Sequence, residues 1–270
     1  MRNKVNSIVW KLLWPIRAYI RYFPFPRGKG WLLRHFIYPI LPLEGNFITV
    51  LSNQLKIQLR YSETLGRAVL LYGGFETAEI EFLRKRISNG DTVLDVGANI
   101  GIFSIAFADA VGTQGKVLAL EPLPQNIERL KNNLELNHFH NVQIFPVAAG
   151  QVNGEVKLHL ADDLAYASTI AVIGGHGDDQ VVTTSMKKLD EIWQQAGSPQ
   201  VTVLKIDVEG GELEVLKGAE ELLKVCQPLI MAEANTKKYL DNLKSWLLHR
   251  GYIHKQPPQF KPWNHLFEKR

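Results

Sequence analysis

The sequence predicts an α/β protein organised on a doubly wound, mostly parallel sheet. Three observations point there. Short apolar runs at 91–96, 116–121, 142–147 and 201–210 alternate with amphipathic runs at 102–111 and 124–137, the pattern of strands joined by right-handed helical crossovers. Four strand candidates end in carboxylates: Asp95, Glu121, Asp207 and, on a further strand at 229–233, Glu233. A loop of small residues, Gly97-Ala98-Asn99-Ile100-Gly101, stands between the first strand and its helix, where open parallel sheets bind nucleotide-type ligands.

Taken from its start, the chain has 270 residues, 46% of them hydrophobic, enough for one large core with a small appendage. The lone Cys226 excludes an intramolecular disulfide framework. Net charge is +4, but residues 1–43 hold eight basic residues and no acid, so the remainder carries −4. In that segment Val5, Ile8, Leu12, Ile16 and Tyr19 follow helical spacing, with Trp10, Trp14 and Trp31 among the aromatics. No run is long and uncharged enough to span a bilayer, and lysine and proline interrupt any signal-peptide core. We divide the chain into a basic aromatic helical arm, 1–45, and a main domain, 46–270. The arm suits anionic lipid at the inner membrane face of a cytoplasmic protein; packing on its own domain or on a partner subunit is the alternative. No nucleic-acid partner is expected, because no nucleic-acid module follows.

Residues 47–61 read as a hairpin and 76–87 as a helix with Ile80, Leu83 and Ile87 on one face. The loop that follows strand 91–96 lacks the third glycine of a dinucleotide fingerprint, since Ile102 stands in its place. Asp95 would repel a pyrophosphate and welcome a cation. S-adenosyl-L-methionine carries an ammonium and a sulfonium and no phosphate. Glu121 lies 20 residues beyond Gly101, the offset of an acid that holds ribose hydroxyls, and Pro122 breaks its strand. Ala148, at the third strand tip, leaves room for an adenine ring. Cofactor contact is therefore expected from Asp95, Gly97, Ala98, Asn99, Gly101, Glu121, Pro122 and Ala148.

Residues 154–190 add strands near 155–160 and 181–184 and are expected to shape acceptor choice; His176 lies among their glycines, as a base or a surface residue. Asp207 and Glu209 end the strand at 201–210, and a helix is expected from 212 to 223. These two acids are the candidate catalytic groups, removing a proton from an acceptor hydroxyl. They suit a divalent metal as well, though no further ligands cluster near them in the sequence and no metal is assigned. The structural alternative pairs Asp207 with Lys205 and makes Glu209 a helix cap. Three function classes stay open on the residues alone: methyl transfer from S-adenosylmethionine, a dinucleotide-dependent oxidoreductase, and a catalytically silent scaffold.

Four motifs in order, Asp95-Val96-Gly97-Ala98-Asn99-Ile100-Gly101, Glu121-Pro122, Leu189-Asp190 and Leu204-Lys205-Ile206-Asp207-Val208-Glu209-Gly210-Gly211-Glu212, make residues 72–235 resemble the FkbM family of methyltransferases. Gly211 stands where that family more usually has alanine. The resemblance implies a Rossmann-like, seven-stranded class I methyltransferase fold and S-adenosyl-L-methionine as cofactor. It implies O-methylation of a sugar, polysaccharide or other small natural product, a small-molecule or carbohydrate acceptor, with N-methylation as the alternative.

Overall fold

A computed structural model describes residues 45–51, 53–160 and 180–270, together with Pro15 and Tyr19. The rest of the basic arm and His176 lie outside the described residues. The described chain divides at Phe75/Glu76 into two compact units.

In the smaller unit, β1 (Asn46–Val50) pairs antiparallel with β2 (Lys56–Arg60), the expected hairpin. Strand alternation turns Phe47, Ile57 and Leu59 inward. Phe47 stacks on Tyr61 with ring centroids 4.5 Å apart. Helix α1 (Thr64–Tyr72), which the sequence reading did not assign, ends on a left-handed Gly73.

The larger unit carries a seven-stranded sheet in the order β11-β12-β10-β9-β3-β4-β5. Its strands are β3 (Thr92–Val96), β4 (Lys116–Leu120), β5 (Val142–Phe145), β9 (Val201–Ile206), β10 (Leu229–Glu233), β11 (Tyr252–Lys255) and β12 (Asn264–Lys269). The five from β10 to β5 run parallel, and β12 is antiparallel to both its neighbours. Every residue of β3 is buried, as a strand covered on both faces requires. Two helices follow the central strands at the predicted places. The first, α3 (Ile102–Val111), is apolar except for Ser104 and Asp109 and buries most of its length, with Asp109 exposed and paired to Arg84. The second, α4 (Pro124–Glu135), starts on a proline and buries Ile127, Leu130 and Leu134 at helical spacing. Each such large side chain removed from water contributes about 1.5–3 kcal/mol. Helix α2 (Thr77–Arg84) is shorter than the predicted 76–87.

The added strands form a three-stranded sheet of β6 (Ala148–Ala149), β8 (Gln180–Lys187) and β7 (Gly154–Leu160). The single helix expected over 212–223 is instead two, α6 (Glu212–Lys217) and α7 (Glu220–Cys226). The cause is tertiary. A Cβ at Gly218 would lie 2.1 Å from the Gly150 carbonyl oxygen, so the chain bends where another loop presses on it. The Asp190 carboxylate, on the short helix α5 (Leu189–Gln195), accepts the Glu221 and Leu222 N–H groups that open α7. Beyond the predicted elements, α8 (Lys237–Leu248) leads into β11 and β12. Among the described residues no helix is long and apolar enough to cross a membrane.

Candidate active site

The C-terminal ends of β3, β4, β9 and β10 form one edge, and every predicted acid except Asp95 presents itself there. Two backbone crossings shape it. The Gly97 and Ala98 N–H groups both donate to the Leu120 carbonyl, at 3.0 and 2.9 Å, tying the loop after β3 to the tip of β4. On its other side Gly97 meets β9: a Cβ there would lie 1.9 Å from the Asp207 carbonyl oxygen, and φ is +76°. Gly97 was expected to admit a ligand, but what approaches it is the neighbouring backbone. Asn99 takes a left-handed conformation, and Asn133 Nδ2 donates to Ile100 O at 2.8 Å to hold the loop shut.

Asp95 was expected to face a cationic ligand. It is fully buried and turned inward, because its strand register places it opposite Lys205. Its Oδ2 accepts the Ser104 hydroxyl at 2.6 Å, and its Oδ1 lies 3.2 Å from Lys205 Nζ. The same ammonium donates to Gly97 O at 2.8 Å and stands 3.7 Å from Asp207 Oδ2. Burial pulls the Lys205 pKa down, but Asp95 and Asp207 outweigh it and lift it above the ordinary lysine value. Lys205 is thus the partner of a buried carboxylate that its strand position suggested, and it brackets the loop after β3 to the tip of β9.

Glu121 is 4% exposed. Its Oε2 accepts Asn99 N–H at 2.8 Å, and its Oε1 accepts Leu123 N–H at 3.0 Å and Asn126 Nδ2 at 3.3 Å. Burial raises its pKa, and these donors pull the other way. A carboxylate has about four acceptor positions, so capacity remains for a ribose hydroxyl. Pro122 lines a cavity of about 440 Å³ with Pro124, Ile127, Pro146 and Thr184, beside the tips of β4 and β5. Ala148, expected to leave room for the adenine ring, is half-buried and pairs with Met186 in the small sheet.

The β9–β10 end is different. Asp207 N–H donates to Val96 O at 3.0 Å, so the strand tip is fixed. Glu209 follows in a left-handed conformation, φ +57°. One carboxylate oxygen from each of Asp207, Glu209 and Glu233 lies within 4.8 Å of the others. Burial, then the Asp207 and Glu212 charges, lifts Glu209 to about 7. Glu233 is pushed up further, by burial and then by its hydrogen bond to Asp207. Glu76, whose Oε1 accepts from Asn264 Nδ2, rises to about 7 through burial and then the Asp207 charge. The spacing of the three acids also admits a hard divalent cation among oxygen ligands. Glu233 and Glu76 were not among the predicted site residues. A carboxylate at the tip of the next parallel strand was a usable signal for Glu233; nothing local marks Glu76.

These residues fit S-adenosylmethionine. The crevice presents Glu121, Asp207, Glu209 and Glu233, and the buried ammonium of Lys205 is already engaged, so a cation with hydroxyls suits it and a pyrophosphate does not.

Comparison with known proteins agrees. Residues 95–254 match the family model described as the methyltransferase FkbM domain. Methyltransferase 1 of Beauveria bassiana is 25% identical over 178 residues, covering 53% of this chain and 68% of that protein. Hexuronic acid methyltransferase AglP of Haloferax volcanii is 30% identical over 148 residues, covering 54% of this chain and 56% of its own. The 31-O-demethyl-FK506 methyltransferase FkbM of Streptomyces tacrolimicus is 28% identical over 159 residues, covering 49% and 60%. The chain thus spans between about half and two thirds of the length of these relatives. With the match extending over more than half of its own residues, and from the loop after β3 through the acid cluster, the chain belongs to the FkbM family of methyltransferases, with S-adenosylmethionine as its cofactor.

Proposed function

We propose that this methyltransferase acts on a hydroxyl of a sugar, polysaccharide or other small natural product, with Glu209 and Asp207 taking up the acceptor's proton. One observation carries the reading: Glu209, at the strand-tip crevice, is held near two other carboxyls and titrates at about 7. A proton acceptor is most effective when its pKa lies near the working pH. S-adenosylmethionine, when bound, supplies a methyl group on a cationic sulfur. The protein's part is to hold, to aim and to remove a proton. Glu121 and the loop 97–101 hold the ribose side, with Asp95 supporting the loop from beneath. Asp207, Glu209 and Glu233 meet the acceptor at the other end of the crevice. Holding the reacting atoms in line contributes about 7–11 kcal/mol. The names of the relatives support the acceptor class, one a hexuronic acid enzyme and one an O-methylating enzyme.

The test is incubation with isotope-labelled S-adenosylmethionine and a panel of hexuronic acids, glycans and hydroxylated natural products, the label located by mass spectrometry. Label on oxygen in the parent and its loss in Glu209→Gln is the expected result. Label on nitrogen would replace the hydroxyl reading by N-methylation, and binding without transfer to any acceptor would favour a silent scaffold. For the arm, whose +8 charge is read from the sequence, we propose contact with anionic lipid. Deletion of residues 2–30 is expected to abolish co-sedimentation with anionic vesicles; equal sedimentation would leave the arm structural.

A further inference from the structure

The acid cluster is held by a part of the loop that its own carboxylates do not touch. Between Asp207, hydrogen-bonded to β3, and the start of α6, two consecutive residues are left-handed: Glu209 at φ +57° and Gly210 at φ +108°. For a glutamate this conformation is unfavourable and persists only where neighbours over-determine it. The neighbour is Glu212, which is 1% exposed. Its Oε1 accepts the Val208 N–H and the Gly210 N–H, each at 3.1 Å, on either side of Glu209. Two backbone donors converging on one carboxyl oxygen trap the turn between them. The next amide, Leu213 N–H, donates to the Tyr239 hydroxyl at 3.0 Å, and that hydroxyl lies against the Glu212 carboxylate. Tyr239 stands in the first turn of α8, six residues after Glu233. Its hydroxyl therefore ties the loop that carries Glu209 to the segment that carries Glu233.

We infer that Glu212 and Tyr239 are positioning residues, a latch that holds Glu209 in its left-handed turn and sets its separation from Glu233 and Asp207. Neither is assigned contact with cofactor or acceptor. The inference rests on the reading of Glu209 as the proton acceptor. In physical terms it makes the acid crowding a built distance: if the turn relaxes, the carboxyls part and Glu209 reverts toward an ordinary glutamate.

The test is residue-resolved amide exchange, with carboxyl titration by NMR of glutamate labelled at the side-chain carbon, on the full chain saturated with S-adenosylmethionine. In Glu212→Ala, the Val208 and Gly210 amides are expected to exchange at least ~10-fold faster, and the Glu209 and Glu233 midpoints to fall below those of Glu212→Gln, which removes the same charge but keeps the turn, as the carboxyls separate. Glu212→Gln keeps an acceptor oxygen in place and is expected to keep both amides within about threefold of the parent, which also separates the latch from any general loss of folding. Tyr239→Phe is expected to free the Leu213 amide and shift the Glu233 midpoint, with cofactor affinity by calorimetry unchanged. Equal protection of Val208 and Gly210 in Glu212→Ala and parent would overturn the latch. Faster exchange in Glu212→Ala with Glu209 and Glu233 midpoints equal to those of Glu212→Gln would reduce Glu212 to a structural cap and overturn its positioning role. If the latch behaves as expected but Glu209→Gln turns over at the parental rate, the proton-acceptor reading has failed and the latch has not.

Discussion

The two halves of the crevice use the same residue type at the same place, an acid at or beside a parallel strand tip, and treat it in opposite ways. At the β3–β4 half each carboxylate is surrounded by donors. Asp95 has the Ser104 hydroxyl and the Lys205 ammonium; Glu121 has two backbone N–H groups and the Asn126 amide. At the β9–β10 half, Asp207, Glu209 and Glu233 crowd together, Glu76 feels the Asp207 charge, and Lys205 pairs with Asp207 at 3.7 Å. An acid ringed by N–H groups serves as a fixed hydrogen-bond acceptor. Where acids crowd together, burial and neighbouring charge raise Glu209 and Glu76 to about 7 and push Glu233 up further. The first half fixes its acids with donors, and the second crowds its acids against one another.

The comparison breaks most visibly in turnover. Asp207→Asn and Glu209→Gln are expected to lower the methylation rate by ~10²–10⁴-fold, with cofactor affinity by calorimetry nearly unchanged. In the parent the rate should climb about tenfold per pH unit below the Glu209 pKa of about 7 and level off above it. A flat profile from pH 5 to 8 would remove Glu209 from the proton path.

Lys205 belongs to both halves, and its loss falls on stability. Lys205→Met leaves Asp95 fully buried beside no cation. Removing one member of a buried ion pair costs about 3–5 kcal/mol. Urea denaturation should show this, and a midpoint equal to the parent's would mean that the pair does not brace the loop.

On the holding side, Glu121→Ala removes the acceptor that orients Asn99 and any ribose hydroxyl. One charge-assisted hydrogen bond is worth about 1.5–3 kcal/mol, so cofactor affinity should fall about tenfold or more in calorimetry. Unaltered affinity would move the ribose site elsewhere.

The smallest effect is the most pointed. Glu209 has its pKa raised on folding, from 4.5 to about 7, so below 4.5 it is neutral in both states and contributes no penalty. As pH rises through about 7 the folded state must carry the crowded charge, and stability is lost. Glu209→Gln should therefore stabilise the fold at pH 8, by about 1 kcal/mol once solvent screening of a half-buried group is allowed for, and the gain should vanish near pH 4.5. Destabilisation at pH 8 would show that the cluster is compensated after all.

Much of this was legible without coordinates. The hairpin at 46–60, the α3 and α4 helices, the succession of central strands along the chain and the added strands all follow from periodicity, glycine and proline placement, and offsets within tens of residues. So do the crevice loop and the strand-tip acids Glu121, Asp207 and Glu209, because a carboxylate at the C-terminal end of a parallel strand has only one edge to face. Tertiary structure alone decided the rest. Asp95 turns inward because register sets it opposite Lys205, more than a hundred residues away. The expected helix breaks at Gly218 because Gly150 presses on it. Glu233 and Glu76 reach Asp207 only once the strand order is set. Local pattern specifies what each segment forms, since that depends on near neighbours. Which charges meet depends on how buried faces stack the segments, and that is settled only when the whole sheet closes around its core.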